Sequence, residues 1–444
     1  MPETNPPPKP SYREVVRTFG RIGLINFGGP AGQIALMHKV LVEEKAWFDE
    51  DEYLRALNFC HILPGPEAQQ LATYLAWKLH GLRGGLAAGL LFILPGAGVV
   101  LALSILYAYA ADLRPVAAAL LGVKAAVLAV VVEALLRISQ RALNTRFKYG
   151  VAAAAFAALA VFGAPFPAVV IAAGVVGWLV STVRPAALRL KPAPPAAEPP
   201  PPIGAQARSA LLTLVVWAAL WAAPLALIYG LLGPRHVLFE IGVFFSKLAA
   251  VSFGGAYAVL TYMAQEAVTG HGWLRPKEMV DGLGMAETTP GPLILVTEYV
   301  GFLAAFRNPA PFAPRVAGII GAAVTLWTTF TPCFLWIFVG APFISRLERA
   351  RGLQGALAAI TAAVVGVIAN LTLWFALHVL FARFPEVRIG PIKAALPDLG
   401  SLDLRALVLA VAAAILLFRL KWGVIRTLIA AILMGLGFYL LGAG

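Results

Sequence analysis

Arg21 stands six residues before Phe27-Gly28-Gly29, and Lys247 stands six residues before Phe253-Gly254-Gly255. Thirty-seven residues beyond each Phe comes a Pro-Gly-Pro, at 64–66 and at 290–292. All of these lie in apolar sequence. A cation at membrane depth is expensive and is by default a functional hypothesis. Here positive charge is kept in both copies while its identity changes, as an anion site would permit. Glycine lets backbone N–H groups approach a ligand closely. A helix opening after such a break presents free N–H groups and the positive end of its dipole. Two such ends meeting near the bilayer midplane would make an oxyanion site.

The candidate binding residues are therefore Arg21, Asn26, Gly28, Gly29, Pro64, Gly65, Pro66 and Lys124, with Lys247, Ser252, Gly254, Gly255, Pro290, Gly291 and Pro292. Asn26 and Ser252 could donate to a bound oxyanion or simply cap helix ends. Lys124 lies eight residues into an apolar segment, as a second cation for the substrate or as a salt-bridge partner. Glu67, Glu287 and Glu298 are candidate carriers of a coupled proton, because desolvation favours the neutral carboxyl. Each has a bland alternative. The glycines could serve only close helix packing, the cations could snorkel to the headgroups, and Glu67 could cap a first turn.

These residues sit on a duplication. The Phe-Gly-Gly and Pro-Gly-Pro motifs, Trp47/Trp273 and Glu52/Glu278 all recur at an offset of 226. Matching resumes after an eleven-residue insertion near 307–314, where Leu94-Pro95-Gly96 aligns with Thr331-Pro332-Cys333. The repeat covers roughly 12–138 and 240–374. Long internal repeats in apolar chains are a common ground plan of secondary transporters.

The chain is 60% hydrophobic and 13% charged, where soluble chains average about 25% charged residues. Runs such as 85–110 carry no charge, and about 20 apolar residues suffice to span a bilayer. The fold class is thus an all-α polytopic membrane protein. The net charge of +13 lies mostly in short loops, where it orients helices rather than binding nucleic acid. Cys60 and Cys333 form no disulfide framework, and the six histidines form no metal-binding pattern. Residues 1–10 are polar and Pro-rich, without the features of a cleavable signal peptide.

Hydropathy and breakers predict helices over 12–26, 31–46, 50–61, 67–80, 86–110, 116–138, 151–162 and 168–183. They continue over 211–232, 236–252, 277–286, 293–306, 316–340, 354–380, 404–418 and 424–441. Residues 1–182 form an N-terminal repeat with a trailing hairpin. Residues 183–208 form a Pro-rich cytoplasmic linker, and 209–444 a C-terminal repeat preceded by one extra helix. Placing the basic clusters in the cytoplasm makes the repeats enter from opposite sides, with short broken helices meeting near the midplane. That assignment leaves Arg307 and Arg315 outside.

The paired motifs, the duplicated half and the length resemble the chromate ion transporter family in its long, two-domain form. The order Phe-Gly-Gly-Pro at 27–30, Trp47, then Leu-Pro-Gly-Pro-Glu at 63–67 carries the likeness. The second half departs to Phe-Gly-Gly-Ala at 253–256 and Thr-Pro-Gly-Pro-Leu at 289–293. The resemblance implies export of chromate across the inner, cytoplasmic membrane and resistance to it, with sulfate as the natural competitor. It implies no enzymatic chemistry, no cofactor and no metal. Membrane lipids and a second copy in a homodimer are the remaining partners. Physics alone supports an anion transporter, with a passive channel or an intramembrane enzyme acting on a lipid phosphate as the alternatives.

Overall fold

The computed structural model describes residues 10–27, 29–111, 113–190, 203–253, 256–347, 350–389, 392–395 and 397–441. The prolines at 192–202, Gly28, Gly254 and Gly255 lie outside the described residues. Inside a bilayer every backbone polar group needs an internal partner, so apolar segments become helices. The chain follows that rule.

The first half opens with α1 (Tyr12–Ile25), capped by Ser11, whose hydroxyl accepts the Glu14 N–H. Helix α2 (Gly29–His38) runs on through a π-helical turn, Lys39–Glu44. Helix α3 (Glu50–Ile62) starts at Asp49, whose carboxylate accepts the Glu52 N–H at 2.6 Å. Helix α4 (Glu67–Ala110) has two limbs joined by a kink at His80 and Gly81. Gly81 holds φ +61° there, a left-handed value that glycine adopts readily. Then come α5 (Arg114–Ala142), α6 (Arg146–Ala160) and α7 (Phe166–Val183).

The second half begins with the extra helix α8 (Ile203–Leu232). Helices α9 (Val237–Ala250), α10 (Ala256–Gln265) and α11 (Pro276–Thr288) correspond to α1, α2 and α3. A short 3-10 turn, Leu293–Leu295, opens α12 (Val296–Arg307), and α13 (Pro314–Gly340) follows. Together α12 and α13 match the two limbs of α4. The insertion near residue 310 turns the first half's kink into a loop. After the single turn α14 (Ile344–Leu347) come α15 (Arg351–Leu380), α16 (Leu404–Ala414) and α17 (Val424–Leu440). A small antiparallel strand pair, Glu386–Ile389 with Ile392–Ala395, lies between α15 and α16 in the chain.

Segments of α4, α5, α7, α8, α13 and α15 are long and apolar enough to cross a membrane, so the protein is a multi-pass membrane protein. Helices α1, α9, α11 and α12 have 12 to 14 residues, about 18–21 Å, and fall short of a crossing.

Small residues set the packing, as expected where dispersion rather than hydrophobicity joins helices. A Cβ on Gly85 would strike Phe338, and one on Gly89 would strike Phe334. The second limb of α4 and its counterpart α13 therefore run antiparallel. Gly177 of α7 meets Gly355 of α15 while Gly174 meets Ile360, so that pair is antiparallel too. Helix α5 packs on α15, and Gly122 brings it against the Ala431 carbonyl of α17.

Candidate functional site

The two halves meet where their helices break. Helix α1 ends at Ile25, and Asn26, fully buried, turns the chain. Its Oδ1 accepts the Gly291 N–H at 2.7 Å, and its backbone carbonyl accepts the same N–H at 3.3 Å. Across the seam the roles reverse. The Gly65 N–H donates to the Ser252 carbonyl at 2.9 Å. Asn26 and Ser252 are repeat partners, and so are Gly65 and Gly291. Each half thus gives the other the same contact, the reciprocity of a two-fold arrangement.

A second layer repeats the pattern. A Cβ on Gly65 would meet the Cys333 thiol at 3.0 Å, and one on Gly96 would overlap the Pro290 carbonyl. Gly96 and Cys333 are themselves repeat partners. Gly65 and Gly291 hold φ +126° and +99°, values that side-chain-bearing residues avoid. Gln70 Nε2 donates to the Pro64 carbonyl at 2.8 Å and fixes the first loop. Gln33 Nε2 bridges the seam, donating to the carbonyls of Asn26 at 3.1 Å and Gly291 at 2.5 Å.

Between the breaks lies a cavity of about 10 Å³, lined by Pro30, Gln33, Pro66, Glu67, Ala68, Pro292 and Leu293. The N-terminus of α4 and the turn that opens α12 both face it, so two positive helix ends converge there. The volume suits roughly one water. In this conformation the centre is closed to a tetrahedral oxyanion, and the Gly65 and Gly291 N–H groups are engaged across the seam.

Of the sequence candidates, Asn26, Gly65, Ser252 and Gly291 form the seam, and Pro66, Glu67 and Pro292 line the cavity with the neighbouring Pro30. Pro64 and Pro290 flank the seam glycines. Gly29 opens α2 at φ +67°. Arg21 and Lys247 do not join this cluster. The Arg21 side chain is 65% exposed, with Glu44 at 3.8 Å, and Lys247 is exposed in the last turn of α9. Lys124 belongs to a separate buried cluster. Its ammonium lies 3.1 Å from Asp281, whose other oxygen accepts the Tyr107 hydroxyl at 2.8 Å.

The carboxylates also separate. Glu67 sits beside the seam, with His61 Nε2 at 3.2 Å. Glu298, on the first turn of α12, is 1% exposed, and its Oε2 has no hydrogen-bond partner among the described residues. Glu287 lines a small apolar cavity with Val127, Leu260 and Phe375. The sequence alone assigns no role to Gln33, Gln70, Asp281 or Tyr107. Asp281 was findable as an acid in the short, otherwise mostly apolar α11. Gln33 and Gln70 were findable as amides one turn from the breaks.

Equivalent ion pairs mark the two ends of the fold. Glu52 pairs with Lys78, and its repeat partner Glu278 pairs with Arg307 at 2.6 Å. Likewise the His80 ring bonds the Pro10 carbonyl beside the start of α1, and His236 at the start of α9 bonds the Ala310 carbonyl, both at 2.8 Å.

Residues 13–178 and 239–436 match the family described as chromate transporter, one block in each half. The chain belongs to the chromate transporter family. The chromate transport protein of Pseudomonas aeruginosa is 32% identical, over 86% of this chain and 85% of its own. That of Cupriavidus metallidurans is 29% identical, over 81% and 82%. A probable chromate transport protein of Synechococcus elongatus is 27% identical, over 82% and 84%. No solved structure matches the chain. Membership in the chromate transporter family makes the protein a transporter rather than an enzyme.

Proposed function

We propose that this protein is a secondary transporter that exports chromate across the cytoplasmic membrane and so confers chromate resistance. The observation that carries this reading is the reciprocal seam, Asn26 to Gly291 and Ser252 to Gly65, with two helix N-termini facing the space between. Relatives named for chromate transport supply the substrate. The repeats are inverted in this reading, with the two-fold axis in the membrane plane, and the antiparallel run of α4 and α13 supports it. Opening the seam would release backbone N–H groups toward an oxyanion, which neutral dipoles and helix ends can hold without covalent chemistry. Sulfate, also a tetrahedral dianion, competes.

The membrane potential favours this direction. Moving a dianion out of a cell that is 100 mV negative inside gains about 4.6 kcal/mol, twice the value per unit charge. Proton coupling is then an addition rather than a requirement. Inverted membrane vesicles given radiolabelled chromate test the reading directly. Saturable uptake driven by an inside-positive potential, competed by sulfate and surviving collapse of the pH gradient, is the expected result. Ohmic, non-saturating flux would replace the transporter by a channel, and no flux of either oxyanion would sink the proposal.

A further inference from the structure

A second cavity, of about 200 Å³, lies away from the seam, where α11 begins and α12 ends. By the same measure one water needs roughly 10–15 Å³, so an oxyanion with part of its hydration shell fits. Lys124, Arg275, Lys277 and Arg307 line it, with Glu278 and Asp281. Four cations against two carboxylates leave a formal charge of +2, the complement of a dianion.

The carboxylates are already committed. Glu278 is shared, accepting from Arg275 Nε at 2.8 Å and from both terminal nitrogens of Arg307 at 2.6 and 2.8 Å. Burial opposes its ionisation, but the hydrogen bonds from Arg307 and Arg275 outweigh it and bring the carboxyl down to about 2. Asp281 holds Lys124. Lys277 is exposed at the mouth and has no ion pair among the described residues.

The first repeat shows that the fold does not require this arrangement. At the positions of Arg275, Lys277 and Asp281 it carries Asp49, Asp51 and Arg55, while Glu52 keeps the place of Glu278. Charge is reversed at three positions and retained at the one that anchors the ion pair. The cationic cavity thus belongs to one face of the molecule.

We propose that this cavity is an oxyanion vestibule, in which a tetrahedral dianion such as sulfate or chromate is held by Lys277, Arg275 and Arg307, with Lys124 behind them. It rests on the reading of the chain as an oxyanion transporter, and it places a second binding station outside the closed seam. Clustered positive charge in a partly enclosed cleft raises the local concentration of an anion and speeds its capture or retention. In the proposed topology the vestibule opens on the outer face, on the exit side of the cycle.

Equilibrium dialysis of radiolabelled sulfate against the full-length protein in lipid nanodiscs tests it. Lys277→Glu reverses one exposed charge without touching a hydrogen bond of the fold, and it should weaken binding roughly tenfold. Lys277→Arg should restore it. Equal sulfate binding by the wild type and Lys277→Glu would overturn the vestibule. Flux separates this from failure of the parent reading. If Lys277→Glu loses binding but the wild type carries no oxyanion, the anion site stands and transport falls. If the wild type transports and Lys277→Glu leaves both binding and the half-saturating concentration unchanged, the vestibule alone falls.

Discussion

Lys124 and Asp281 are buried together at the wall of the vestibule, their side chains 9% and 2% exposed. Removing one partner of such a pair leaves the other charged and buried, which costs about 3–5 kcal/mol, whereas an apolar pair of similar volume is often neutral. Lys124→Met should therefore lower the thermal unfolding temperature of the detergent-solubilised protein markedly, and Lys124→Met with Asp281→Leu should recover most of the loss. Equal losses in the single and double variants would mean that the ion pair contributes nothing. Lys124 was legible because a charge in an apolar run stands out. Asp281 was legible only as an acid in a short helix, because its repeat partner is Arg55 and the duplication does not point to it. Arg21 and Lys247 show the opposite case. Depth along a short helix singles them out, but azimuth decides where they point. Val15, Phe19 and Ile22 form the buried stripe of α1, and Leu238, Ile241, Phe245 and Leu248 that of α9. Each cation falls off its stripe by helical period alone.

At the scale of elements, the breaks were the most readable feature, because Pro and Gly have few uses inside an apolar helix. Less readable was how a break ends. Hydropathy and breakers predict a gap at 81–85, and one glycine makes it a kink within a 44-residue helix. Hydropathy does not predict α10 although the offset of α2 places it, and both helices close with π-helical turns, Lys39–Glu44 and Glu266–Gly270. No periodicity announces such turns. The strand pair at 386–395 falls where hydropathy predicts no element. The seam itself gives a test. Gly65→Ala and Gly291→Ala would each force a side chain into left-handed backbone, at about 1–2 kcal/mol. They would also press it against Gln70 and Cys333, or against Leu295 and Gly96. Both should lower the melting temperature and slow flux. Because the two loops share one seam, their effects should be non-additive. Gly98→Ala is the control. A Cβ there meets nothing within 4 Å, and alanine in a helix interior should be neutral or stabilise by about 0.5–1 kcal/mol. Matching losses at all three positions would strip the seam of its special role.

For the whole molecule, the chain of antiparallel contacts determines which ends share a face. His80 ties the kink of α4 to the start of α1. The second limb of α4 then crosses, α5 returns, and residue 145 arrives on the side of Ser11. Helix α7 crosses back beside α15, so Arg351 joins the same side, while Leu113, His236 and Asn308 lie on the other. Arg307, which the distribution of basic loops leaves on the outer face, is bound by Glu278 and the Trp273 carbonyl. That cation is outweighed by the basic clusters of the other face, because orientation follows the overall Lys and Arg bias across the short loops. Single cysteines at positions 11, 145 and 351 should therefore react alike with a membrane-impermeant maleimide only after the inner face is exposed. Cysteines at 113 and 308 should react in intact cells. The native Cys60 and Cys333 are buried, which keeps the background low. Positions 145 and 351 on opposite faces, or 145 and 113 on the same face, would break the inverted arrangement. The two-fold seam would then need another explanation, because two halves entering from one side could exchange Asn26–Gly291 for Ser252–Gly65 only about an axis along the membrane normal.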